Sequence, residues 1–212
     1  VLFRSSLLWK QNNLTMKKIL FVALAIASIT SCKKDDATTS EYDTNKKGEL
    51  SVEFDNIVGS NDLQLNTGSY TNSSSETYTV TTLKYFVSNF VLTRVDGTVY
   101  TVPQDSSYFL IDESDVNRHE ALLRIPEGEY KTLSFGLGVD SLRNTMDVSM
   151  RTGDLDPTGA ASGMYWTWNS GYINFKIEGT APAAGMMGYM YHTGGFGGKT
   201  SPTANNYRTI TL

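Results

Sequence analysis

Gly163-Met164-Tyr165-Trp166-Thr167-Trp168-Asn169-Ser170-Gly171-Tyr172-Ile173-Asn174-Phe175-Lys176-Ile177-Glu178-Gly179 is the stretch that decides the fold class. Side chains alternate between the two faces of a β-strand, so Met164, Trp166 and Trp168 share one face while Tyr165 and Thr167 point the other way. Asn169-Ser170-Gly171 is a turn signal. Beyond it Tyr172, Ile173, Phe175 and Ile177 are apolar and Asn174, Lys176 and Glu178 are polar, the pattern of a half-buried strand.

The same period recurs on either side. Leu50, Val52 and Phe54 alternate with Ser51, Glu53 and Asp55. Thr77 to Arg94 is dense in Thr, Tyr, Val and Phe and reads as two strands, broken or bulged at Ser88-Asn89. Asp96-Gly97 is a hairpin turn that sends Thr98 to Val102 back antiparallel. Further strands are expected at Tyr108 to Ile111, Ala121 to Ile125, Tyr130 to Val139 and Tyr207 to Leu212, with one helical turn between Ser141 and Asp156. No helical period is sustained, and hairpin-length connections dominate, so the expectation is a mostly β, antiparallel single domain, a sandwich or a barrel-like sheet.

The N-terminal region has a different character. The first methionine is Met16; Met16-Lys17-Lys18 opens a basic segment, Ile19 to Ile29 is apolar, and Thr30-Ser31 places small residues before Cys32. Residues 1–15 read as an upstream translation artefact and 16–31 as a signal peptide. Its apolar run is too short for a helix across about 30 Å of hydrocarbon, which needs roughly 20 residues. Ile29-Thr30-Ser31-Cys32 resembles a bacterial lipobox, which implies an acylated Cys32 that ties the chain to a membrane. Lys33-Lys34-Asp35-Asp36 resembles the signals that send lipoproteins to the outer face of the outer membrane, giving an outer-membrane lipoprotein, periplasmic or surface-exposed. Residues 32–47 are polar and aperiodic, a flexible tether. The domain is then 48–212, and because the chain stops on a strand pattern it reads as truncated at its C-terminus.

Cys32 is the single cysteine, so no disulfide is available and the core must hold the fold unaided. From Cys32 onward there are 14 basic and 22 acidic side chains, a net of −8. That balance argues against binding nucleic acid through phosphate neutralisation.

Three pieces carry a family resemblance: Leu83 to Asn89 (Leu-Lys-Tyr-Phe-Val-Ser-Asn), Phe135 to Asp140 (Phe-Gly-Leu-Gly-Val-Asp) with Asn144 after it, and Gly163 to Ile173 followed by Glu178-Gly179 and Tyr191-His192-Thr193-Gly194. Together they resemble the MbnP-like family of bacterial periplasmic and surface proteins, named for a copper-binding member. The resemblance spans roughly Gly48 to His192. In copper-binding relatives a histidine pair holds the metal together with a tryptophan oxidised to kynurenine. His192 matches the downstream histidine, and Trp166 or Trp168 the tryptophan. This sequence departs from the pattern in having no histidine near the tryptophans to complete the pair.

The residues themselves point the same way. Met190 and His192, two apart on a strand, project to one face. Thioether and imidazole suit Cu(I), so the metal candidates are His192 with Met190 and Met164, or with Met186 or Met187, and Trp166 and Trp168 stand as modified or supporting partners. The bland reading is that alternating Met and aromatic side chains are core and that a lone histidine is structural. A separate reading is a surface adhesion or glycan-binding module with a stacking platform of Tyr165, Trp166, Trp168 and Tyr172. Catalysis is not expected: the one thiol is assigned to lipid, and no Gly-x-Ser-x-Gly elbow, His-x-x-x-His pair or Walker loop is present. Asp140, Asp147, Asp154 and Asp156 match no calcium loop with fixed ligand order, and His119 reads as a surface residue. The expected function is therefore that of a lipid-anchored envelope protein that binds or handles copper, with an envelope protein as a possible partner.

Overall fold

The computed structural model describes residues 2–8, 45–168, 171–183 and 188–212. The expected signal peptide, Cys32 and most of the tether lie outside the described residues, as do Asn169, Ser170, Met186 and Met187. The strands are β1 (Leu2–Leu8), β2 (Lys47–Val58), β3 (Asn61–Asp62), β4 (Tyr70–Thr71), β5 (Thr77–Arg94), β6 (Val99–Thr101), β7 (Tyr108–Asp112), β8 (Glu120–Pro126), β9 (Tyr130–Leu137), β10 (Tyr165–Trp166), β11 (Gly171–Thr180), β12 (Tyr189–Gly194) and β13 (Arg208–Thr211). Among the described residues a short α-helix, α1, covers Ser141–Thr145, and four single 3-10 turns accompany it. All the pairings are antiparallel.

Two sheets form a sandwich, not a closed barrel. The smaller contains β1, β2, β3 and β8; the larger runs β10, β11, β5, β9, β13, with β4, β6, β7 and β12 alongside. The period-2 pattern explains their meeting faces. Leu50, Val52 and Phe54 of β2 and Ala121, Leu123 and Ile125 of β8 are buried against Leu83, Tyr85 and Val87 of β5 and Phe135 of β9. Phe54 sits edge-on to both Tyr85 and Phe135, with centroids 6.1 and 5.6 Å apart. Burying each such side chain contributes about 1.5–3 kcal/mol, which replaces what a disulfide would otherwise supply.

β5 is one 18-residue strand rather than the expected two. The interruption at Ser88-Asn89 is a bulge: Asn89 has φ 54°, and the register to β9 shifts between Ser88 and Val91. The strand survives because β11 pairs with Thr79 to Tyr85 and β9 takes over from Val87. A bulge adds one unpaired residue without ending a ladder that both partners hold.

The large sheet is covered on its second face as well. Phe86, Leu110 and Ile173 project away from the sandwich interior and join Val139, Leu155, Ala161, Met164 and Tyr172 in a second core. Its cover is the irregular segment 139–164, where α1 starts on Asp140, whose carboxylate accepts the Arg143 N–H at 3.1 Å. The Asn144 side chain ties this segment to the sheet, donating to the Val139 carbonyl (2.7 Å) and accepting from the Tyr172 N–H (2.9 Å).

Candidate metal site on the outer sheet face

β11 and β12 form a hairpin in which Lys176 lies opposite His192 and Glu178 opposite Met190. Phe175 and Ile177 pack into the sandwich core, so by alternation Lys176, Glu178, Met190 and His192 face outward, beside the second core. Diagonal neighbours on one face of a ladder lie within reach of long side chains. Here Glu178 Oε1 is 2.7 Å from His192 Nε2 and 3.4 Å from Lys176 Nζ, and Lys176 Nζ also donates to the Gly163 carbonyl at 3.2 Å, tying the strip to the covering segment.

Burial pushes the Glu178 carboxyl up, but the hydrogen bond from His192 and the charge of Lys176 outweigh it and hold the group below the ordinary carboxylate range. Glu178 is thus an anion that fixes the imidazole. With Nε2 carrying the proton toward Glu178, Nδ1 is left as a lone-pair donor, and no hydrogen bond from the described residues reaches it. A carboxylate behind one imidazole nitrogen is how proteins orient histidine for a metal at the other.

Met190 is 69 % exposed, on the same strand face as His192. The tryptophans adjoin this face. A Cβ on Gly194 would lie 2.4 Å from Trp166 Cζ3, so the indole rests on the backbone two residues from His192. Trp168 tilts against Trp166 with centroids 5.4 Å apart and is 78 % exposed. Trp166 and Trp168 thus lie at the Gly194 end of the strand that carries His192 and Met190.

Met164 does not join them. The expected strand shrinks to Tyr165–Trp166, and Met164 is fully buried in the second core, where an ion could reach its sulfur only by opening that core. The four-ring platform does not form either. Tyr172 is fully buried, with its hydroxyl donating to the Leu155 carbonyl and its pKa pushed up to about 12 by burial, and Tyr165 is half-buried against it. His119 is half-buried, its Nε2 3.3 Å from the Glu113 carbonyl oxygen.

The four aspartates are dispersed in local roles. Asp140 caps α1, and Asp147 accepts from Ser149. Asp154 pairs with Arg118 at 2.8 Å, and Asp156 accepts from Thr158. Among the described residues no group of three or more His, Cys, Asp or Glu could hold a metal ion. Glu178 was not singled out by sequence reasoning. A signal existed: a hairpin pairing Gly179 with Tyr189 places residue 178 diagonal to residue 192.

The family model for MbnP matches residues 47–212. This chain belongs to the MbnP family. Among solved structures it is similar to MbnP from Methylosinus trichosporium, at 18 % identity and a TM-score of 0.61 over 78 % of this chain and 71 % of that chain. At that identity the likeness speaks to the fold, which is the MbnP sandwich. No curated protein matches the chain. Among the described residues no helix is long and apolar enough to cross a membrane.

Proposed function

We propose that this MbnP-family protein is a lipid-anchored protein of the bacterial cell envelope that binds copper at His192, acting as a carrier or store and not as a catalyst. The observation that carries the reading is the His192–Glu178 pair: a 2.7 Å contact at one imidazole nitrogen leaves the other nitrogen without a protein partner among the described residues, on the strand face that also carries the exposed Met190. His192 Nδ1 and Met190 Sδ would hold the ion. Glu178 orients the ring and Trp166 walls the adjoining side. Imidazole with thioether favours Cu(I) over harder cations, and the bound ion supplies a soft, thiophilic centre open to exchange at the surface. Anchoring rests on the Met16 to Cys32 sequence, and an outer-membrane location on the charged run after it.

The test is competition for Cu(I) against a chromogenic chelator, with the mature domain and its His192→Ala and Met190→Leu variants. One equivalent bound by the parent, with affinity at least tenfold weaker in His192→Ala, is the expected result. Equal, weak uptake by parent and variant refutes the copper reading, and a mass change confined to Trp166 or Trp168 would add the tryptophan to the site. Anchoring is checked separately: fatty-acid labelling of the full-length protein should vanish in Cys32→Ala.

A further inference from the structure

The large sheet forks. Along one side of β5, β11 pairs as far as Tyr85 and β9 begins at Val87, so the two strands meet at Phe86 and then spread apart, β11 carrying β12 and β9 carrying β13. Asn174, 2 % exposed, is wedged into the fork. Its Oδ1 accepts the Val139 N–H at 3.1 Å, and its Nδ2 donates to the Gly195 carbonyl at 3.4 Å. Gly138 has φ 111°, and a Cβ there would lie 2.5 Å from Asn174 Cγ, so the close approach depends on glycine.

Beyond the wedge lies a cavity of about 340 Å³ lined by Leu137, Asn174, Phe175, Thr193, Asn206 and Arg208. That volume falls at the lower end of small-molecule sites. Leu137 and Phe175 pack against the sandwich core and make an apolar floor. Arg208 pairs directly with Leu137 and alternates with Ile210, which packs on the same core, so its side chain starts from the core side of the terminal strand β13 and lies exposed at the mouth of the cavity. Its Nη1 donates to the carbonyls of Asn205 (2.7 Å) and Tyr207 (2.9 Å), and none of the ion pairs among the described residues includes it. Asn206 Nδ2 is spent on the Gly194 carbonyl at 2.7 Å, which leaves its Oδ1 to accept. The lining thus offers a cation with free N–H donors, an acceptor and a hydroxyl above an apolar, partly aromatic floor.

We infer that this fork binds a small organic carboxylate with an apolar body, held by Arg208 through its charge and by Leu137 and Phe175 through packing. A planar guanidinium matches a carboxylate with two parallel hydrogen bonds, and a hydroxyl at the far end of the ligand would donate to Asn206 Oδ1. The site is separate from the outer-face copper candidate: Phe175 and Leu137 open toward the interior side of the sheet, whereas His192 and Glu178 face the other way.

The test is an amide NMR titration of the folded full chain with 4-hydroxybenzoate, beside the neutral 4-hydroxybenzamide. Saturable shifts are expected at Leu137, Phe175, Thr193 and Asn206, at least tenfold weaker with the amide and in Arg208→Gln, and unchanged in His192→Ala. Absence of saturable shifts, equal binding of acid and amide, or equal binding by Arg208→Gln overturns the proposal and leaves Arg208 as an exposed charge that blunts an edge strand. The acid–amide comparison needs no variant, so it decides the matter even if Arg208→Gln does not fold.

Discussion

Replacing Gly194 by alanine tests whether Trp166 is seated as described. The added Cβ would lie 2.4 Å from Trp166 Cζ3, 2.9 Å from Cη2 and 2.7 Å from the Tyr172 carbonyl oxygen. Carbon atoms settle at about 3.5–4.0 Å, so the indole must retreat by roughly 1 Å or more, and the backbone of β11 cannot retreat as easily. Overpacking of this kind costs about 1–3 kcal/mol, which for a domain of this size lowers Tm by about 2–12 °C. Urea denaturation followed by circular dichroism gives the stability, and tryptophan emission should shift red as the indole loses its seat. A cycle with Trp166→Ala apportions the effect: with the ring gone only the Tyr172 contact remains, so the two substitutions should couple by at least about 1 kcal/mol. Additive losses, or a Gly194→Ala protein as stable as the parent with unchanged emission, would refute the placement of Trp166 on Gly194 and with it the wall beside His192.

Other expectations follow from the same geometry. Glu178→Gln should weaken Cu(I) binding about 10–100-fold, the usual consequence of losing a carboxylate behind a metal-binding histidine, as read by chelator competition. Because the folded Glu178 pKa is depressed, its contribution to stability, at most about 1 kcal/mol for so accessible a pair, is present above the unfolded value near 4.3 and disappears as pH falls through the folded value. Parent and Glu178→Gln denaturation curves should therefore converge as pH is lowered past the ordinary glutamate range, and a gap that widens there would contradict the ion pair. Met164→Ala should cost about 2–5 kcal/mol by opening a cavity in the second core, with Cu(I) affinity unchanged in the folded fraction, whereas Met190→Leu should leave denaturation unaltered and weaken Cu(I) binding.

The alternation of side chains along Leu50 to Phe54, Ala121 to Ile125 and Tyr172 to Ile177 was enough to establish a mostly β, antiparallel class, because burying one face of a strand requires period 2 in the sequence itself. The shared face of Met190 and His192 was equally local, since two residues along a strand return to the same side. Tertiary structure decided the rest. Whether Glu178 meets His192 depends on hairpin register, and whether Met164 is ligand or core depends on residues 139–161 folding over Phe86 and Leu110. β5 continues through its bulge because β11 and β9, some forty residues apart in the chain, divide one side of it between them. That division also makes the fork at Asn174 and the cavity under Arg208. Periodicity within a segment records which of its sides is buried, but the identity of the neighbour across the ladder is settled only when distant strands pair.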